Sequence, residues 1–287
     1  MVFLEYDVDN APYSRYGKWW AAYGGGGSVT LPLVMADSGH QFSYGYLDFH
    51  SVYKAMVDTE MARPPQAEIQ TAWRRVGDKV VFYVQVKNLS GVTLSSDNDA
   101  TMHVIMYEDV RVKLTNRFVV TVVQTDISSL APNATAGFTL ETGDLSGVDW
   151  GKTHYLALVD FRPGGTSGAY DMLQAAVAQP AAFAVEPESV AFMVDTGDTT
   201  VPPAQLSLAP PLYSWTAVSS AAWLTVTPAN GPGTTQPAVS VVQNSLVPGW
   251  QQATVTFTAD DGVSTDQVTV RAYLGQVERV FLPAVAR

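Results

Sequence analysis

Cysteine is absent from all 287 positions, which excludes disulfides, thiolate nucleophiles and Cys-ligated metals together. Basic residues are also few. Lys and Arg number 16 against 27 Asp and Glu, a formal charge of −11, and no basic patch interrupts the acidic balance. Nucleic acid and anionic membrane are therefore poor partners, because both are gripped through clustered Lys and Arg. No apolar run is long enough to cross a bilayer. The first residues, MVFLEYD, lack the basic and long apolar regions of a signal peptide, so any export signal is expected to have been removed or to lie upstream. Histidine occurs four times, at His40, His50, His103 and His154, with no metal-ligand spacing among them. No Ser elbow or paired acidic partner marks His103 or His154 for catalysis, although both fall on predicted strands and could meet across a sandwich.

What is present is β-rich. Hydrophobic residues make up 47% and charged residues 15%, the balance of packed domains with surfaces of Thr, Ser, Gln and Asn. Residues 79–88 (KVVFYVQVKN) are apolar on both faces and read as a central strand. Residues 102–107, 117–123 and 154–160 are further short runs of β-branched and aromatic residues, bounded by Gly, Asn, Asp or Pro. Spacing and alternation between residues 66 and 179 predict an immunoglobulin-like sandwich. Residues 1–65 read differently. A strand is expected at 2–6, a helix at 15–23 with Ser14 as its N-cap, a strand at 29–36 entered by Pro32, a turn at 37–39 and a helix over 48–62. Phe49, Tyr53, Met56, Val57 and Glu60 recur on that last helix at three- and four-residue spacing. From 180 to 276 short strands follow one another at regular intervals, with Trp215 and Trp223 as the expected structural anchors of a disulfide-free core. Residues 277–287 form an apolar, strand-like tail. The fold class is thus mainly β: two immunoglobulin-like sandwiches preceded by a small α/β segment.

Two resemblances sharpen this reading. The strand, helix, Pro-led strand and helix of the first 65 residues resemble the C-terminal half of the thioredoxin fold, which implies a structural role for Pro32 and a cis Leu31–Pro32 bond. The Cys-x-x-Cys half of that family is missing, so no exchange chemistry carries over. Trp215, the Trp223–Leu224 pair with Pro228 and Gly231–Pro232–Gly233 after it, the Pro248–Gly249 turn and the closing strand at 267–270 are similar to the BACON family of immunoglobulin-like modules. That resemblance implies attachment to surface proteins and association with carbohydrate or glycoprotein. The order of modules also resembles exported bacterial outer-membrane lipoproteins.

Other clusters have ordinary explanations beside functional ones. Asp7/Asp9, Asp97/Asp99, Asp195/Asp198 and Asp260/Asp261 fit solvated turns or calcium-binding loops, without EF-hand spacing. Tyr13, Tyr16, Trp19, Trp20 and Tyr23 fit a packed stripe or a sugar-stacking face. Gly24–Gly27 lacks the context of a phosphate loop. The expectation is a non-catalytic secreted or cell-surface structural or adhesive protein, with no cofactor, no metal and no catalytic residue. Its expected partners are further copies of itself, in an oligomer or filament joined by β-strand exchange through the tail and the 2–6 edge, or a glycan or glycoprotein. The alternatives are a carbohydrate- or glycoprotein-binding accessory module and a fragment of a larger secreted enzyme.

Overall fold

The computed structural model describes residues 4, 6, 14–22, 32–44, 49–110, 118–165, 167–198 and 200–276. The chain divides into two compact units, Met1–Pro180 and Ala181–Arg287. The strand expected at 2–6, the Leu31–Pro32 bond and the tail at 277–287 lie outside the described residues, except that Leu4 and Tyr6 pack against the first unit.

The first unit opens with helix α1 (Ser14–Ala22), then a hairpin of β1 (Leu33–Ala36) and β2 (Gln41–Tyr44), then helix α2 (Phe49–Met61). The sequence reading has no counterpart for β2. Trp20 wedges against Phe42 and Tyr44, at ring separations of 5.3 and 6.1 Å. Pro32 directly precedes β1 and is half-buried.

The sandwich follows. One sheet has β3 (Ala67–Val76), β4 (Lys79–Asn88) and β7 (Thr135–Glu141) side by side, with Gln179–Pro180 running parallel to β3. The other has the order β9 (Asp171–Val177), β8 (Thr153–Phe161), β5 (Thr101–Glu108), β6 (Phe118–Asp126). β4 is flanked on both sides, as its β-branched run demands, but only alternate residues are fully buried: Val80, Phe82, Val84 and Val86 point into the core. The strands buried on both faces are β5 and β8. Their inner residues join Phe82 and Trp73 in the main core, where Tyr155 lies 4.4 Å from the Trp73 ring. Their outer residues Ile105, Tyr107, Leu156 and Leu158 form a second cluster that Leu4 and Tyr6 cover.

The second unit is a sandwich built without disulfides. Its larger sheet has the order β11 (Ser189–Asp195), β17 (Thr265–Gly275), β16 (Gly249–Ala259), β13 (Trp215–Ser219), with Asn230–Gly231 at the far edge. β11 runs parallel to β17, while β16 and β17 form a long antiparallel hairpin. The opposing layer contains β10 (Ala184–Glu186) paired with β12 (Ser207–Ala209), and β14 (Leu224–Thr227) paired with β15 (Ala238–Val241). Trp215 and Trp223 are both buried in the core between them. The Trp215 ring lies 5.5 Å from Phe257 and its indole N–H donates to the Pro232 carbonyl at 3.2 Å. Among the described residues, the cis peptide bonds precede Pro187, Pro210 and Pro228.

Candidate functional site

Three constellations gather chemistry-bearing side chains. The first lies at the end of α2. Asp37 and Ser38 take left-handed backbone angles, φ 56° and 59°, ahead of Gly39, and this tight reversal brings Asp37 and His40 to Glu60. Strained turns of this kind persist only where their surroundings hold them. Here the holding group is Arg63. One guanidinium nitrogen donates to both Asp37 and Glu60 Oε2, the latter at 2.7 Å, and the other donates to Asp171 at the start of β9. His40 Nδ1 is 2.8 Å from Glu60 Oε1. Ligand atoms of Asp37, His40 and Glu60 lie within 4.8 Å of one another, close enough for one metal ion. The Arg63 charge already sits among them.

The electrostatics follow from crowding. Burial, together with the hydrogen bond to Glu60 and its charge, pushes the Asp37 carboxyl up to about 8 against the opposing Arg63. Burial also pushes Glu60 up, but hydrogen bonds with Arg63 and His40 outweigh it and hold Glu60 below its ordinary value. Asp37 thus keeps a proton and shares it with ionised Glu60. The Ser38 hydroxyl is buried without a hydrogen-bond partner among the described residues. His40 therefore does not activate it as a nucleophile.

The second constellation is wholly interior. Asp160, at the end of β8, is fully buried and receives the Trp19 indole N–H at 2.7 Å, while His103 Nε2 lies 3.1 Å from its other oxygen. His103 faces Leu158 in the β5–β8 register, so Asp160 stands two residues along on the neighbouring strand. The expectation that no acidic partner singles out His103 is corrected: the β-pleat supplies one. Nor do His103 and His154 meet. They lie on adjacent strands of one sheet, and His154 stacks on Tyr107 at the surface and pairs with Asp109 at 2.8 Å. Burial, then the charge of Asp160, pushes the Tyr6 hydroxyl well above the usual tyrosine range.

These contacts settle the aromatic stripe of α1. Trp19 is buried against the sandwich and Trp20 packs on the hairpin, so both serve packing. Tyr13, Tyr23 and the Tyr16 side chain lie outside the described residues. The acidic pairs also have local work: Asp195 accepts from the Gly197 N–H, Asp198 from Asp195, and Asp261 from Val263 and Ser264 across the β16–β17 turn. The Asp97 backbone N–H donates to the Ser95 hydroxyl oxygen, and the Asp99 carboxylate accepts from the Tyr170 hydroxyl. Asp7 and Asp9 lie outside the described residues, as do Gly24–Gly27. His50 lies exposed on α2.

The third constellation is on the outer face of the large sheet in the second unit. Trp250 pairs across strands with Tyr273, and Tyr273 stands beside Met193 of β11. The next row holds Gln252, Arg271 and Ala191. Residues opposite one another in a ladder share a face, so the two rows form one surface. Trp250 is 61% exposed and Met193 52%. The Trp250 and Tyr273 rings are 5.3 Å apart at 53°, and Arg271 Nε donates to Gln252 Oε1 at 3.1 Å.

Residues 182–271 match the viral BACON domain family. The matched span contains the buried Trp215 and Trp223 and, of the exposed face, Trp250, Met193, Gln252 and Arg271, while Tyr273 lies just beyond it. The BACON-like domain is therefore the second unit; the thioredoxin-like reading of residues 1–65 finds no support in the comparisons. No curated protein matches the chain. Among solved structures, red sea bream transglutaminase overlaps 82% of this chain and 35% of its own at 12% identity and a TM-score of 0.22. OgpA from Akkermansia muciniphila overlaps 40% of this chain and 28% of its own at 11% identity and a TM-score of 0.24. β-Glucosidase from Kluyveromyces marxianus overlaps 40% and 14% at 17% identity and a TM-score of 0.21. The chain spans about a third or less of the length of each of these proteins. TM-scores at that level do not define a common fold.

No helix among the described residues is long and apolar enough to cross a membrane.

Proposed function

We propose that this chain is a non-catalytic, exported or cell-surface module whose BACON-like domain associates with carbohydrate. The observation that carries the reading is the match of residues 182–271 to that family, on a sandwich whose two anchoring tryptophans are consumed by the core and whose remaining tryptophan, Trp250, faces solvent. The first unit supports the non-catalytic half of the reading. His103 and His40 are engaged by Asp160 and Glu60, and the Arg63 guanidinium sits within the Asp37–His40–Glu60 cluster, which among the described residues brings a histidine to two carboxylates. A glycan array probed with the intact protein tests the association. Reproducible binding to a defined set of saccharides is the expected result, and failure to bind any saccharide overturns it. Incubating the protein with the saccharides it binds, and finding no cleavage products by mass spectrometry, is the expected result for a module without hydrolytic activity.

A further inference from the structure

We propose that the outer face of the large sheet, centred on Trp250, Tyr273, Gln252 and Arg271, is a binding platform for a neutral glycan of several pyranose units. The proposal rests on the carbohydrate-association reading and adds the place and the ligand class. The geometry begins with the pleat: inward residues of β16 and β17, among them Ala253, Val255, Val270 and Ala272, fill the core, so the alternate positions must face out. Most of those outward positions are Thr or Gln, which a sheet facing only water would carry throughout. The row Met193, Tyr273, Trp250 departs from that pattern by placing three large apolar side chains together across three adjacent strands. A grouped exposed apolar patch on an otherwise polar face marks an interaction surface.

The shape of the patch narrows the ligand. Gly275 lies under the Tyr273 side chain: a Cβ there would stand 2.6 Å from the Tyr273 hydroxyl oxygen. The missing side chain lets that ring lie along the strand beside Trp250, giving an open aromatic shelf instead of a closed pocket. The C–H faces of pyranose rings stack on such shelves, since aromatic side chains combine large apolar area with an electron-rich face that attracts polarised C–H groups. One row away, Gln252 and Arg271 supply amide and guanidinium donors in the plane where ring hydroxyls would project. Only the Arg271 Nε is engaged, by Gln252; its terminal nitrogens have no partner among the described residues.

Charge selects neutral over acidic sugars. Over residues 181–276 the sequence holds seven Asp and Glu against a single basic residue, Arg271, a formal −6. An anionic polysaccharide would meet that field along its whole length, and repulsion between like charges slows encounter and weakens binding.

The test uses the full chain and its Trp250→Ala, Tyr273→Ala and Val218→Ala variants, the last a control on the same face that lies outside the aromatic row. Each is measured against immobilised neutral polysaccharides (β-glucan, xylan, mannan, galactan) and acidic ones (polygalacturonate, alginate), with thermal unfolding of every variant as the check on folding. The expected result is binding to at least one neutral polysaccharide, weakened tenfold or more by Trp250→Ala and by Tyr273→Ala and unchanged by Val218→Ala, at unchanged thermal midpoints. Binding that survives both aromatic substitutions overturns the platform while leaving the carbohydrate-association reading intact. Binding to acidic polysaccharides alone overturns the ligand class. Binding to none of these polysaccharides overturns the platform, and the carbohydrate-association reading falls with it only where the glycan array is blank as well.

Discussion

The indole N–H of Trp19 donates to Asp160 across 141 positions of sequence, at 2.7 Å and out of reach of solvent. One short helix is thereby tied to the interior of a sheet, and the sheet's buried carboxylate is satisfied by that helix and by His103. Removing the carboxylate in Asp160→Ala leaves the indole and imidazole donors buried and unpaired. The expected loss is about 2–6 kcal/mol, from leaving two buried donors unsatisfied at about 1–3 kcal/mol each. Trp19→Phe leaves Asp160 short of one donor and should cost about 1–3 kcal/mol. Urea unfolding of both variants checks the order, and a Trp19→Phe loss larger than that of Asp160→Ala would reverse it.

The Arg63 cluster makes a pH prediction whose sign is fixed. Asp37 titrates at about 8 in the folded protein against an ordinary 3.8, so between those values the native state holds a proton that the unfolded chain has released. Stability from this group is full below the lower value and is lost as pH rises through the upper one. Glu60, held low, works in the opposite sense: its contribution is present above the ordinary glutamate range and is lost as pH falls through its folded value. Warming the protein at about pH 6 and about pH 9 should show a lower midpoint at the higher pH, and Asp37→Asn should flatten that slope. A slope unchanged in Asp37→Asn would assign it to other groups.

Tryptophans at two depths should respond differently. Trp215→Ala empties a core site packed on Phe257 and should cost about 3–5 kcal/mol. Trp250→Ala, on the exposed face, should stay within about 0.5 kcal/mol. Chemical denaturation of the two variants separates a structural indole from a displayed one.

Gly233 offers a backbone test. A Cβ there would stand 2.6 Å from the Pro211 carbonyl carbon and 2.7 Å from its oxygen. Since main chain cannot swing aside as a side chain does, Gly233→Ala should destabilise the second unit by about 1–3 kcal/mol, visible as a lowered unfolding midpoint.

Much of the fold was legible because β-branched runs bounded by turn residues allow few alternatives. The runs at 102–107, 117–123 and 154–160 correspond to strands at Thr101–Glu108, Phe118–Asp126 and Thr153–Phe161, and α1 and α2 fall where spacing places them. Which strands are buried twice was not legible. Val81 and Tyr83 look as apolar as the outer residues of β5, yet among the described residues it is β5 and β8 that receive a second layer, and covering is decided by segments distant in sequence. The clusters were hidden for the same reason, since Asp37, Glu60, Arg63 and Asp171 come from three separate elements. One signal was available: Glu60 stands on the apolar stripe of α2, where a carboxylate needs a partner. The Trp250 shelf also left a trace, a lone tryptophan directly after the Pro248–Gly249 turn on a strand whose other outward residues are polar.

The parallel pairing of β11 with β17 has a mechanical consequence. Ser189 enters beside Thr269, and at the seventh paired position Asp195 lies beside Gly275, where β17 ends. Tension applied through Ser189 and Gly275 would therefore pull the two strands in opposite directions along their length, about 20 Å of ladder, and load its hydrogen bonds together instead of unzipping them one by one. A module so wired would resist stretching and yield abruptly at high force, with Met193 and Tyr273, paired across the ladder, lying on the two strands that bear the load and Trp250 on the strand beside them.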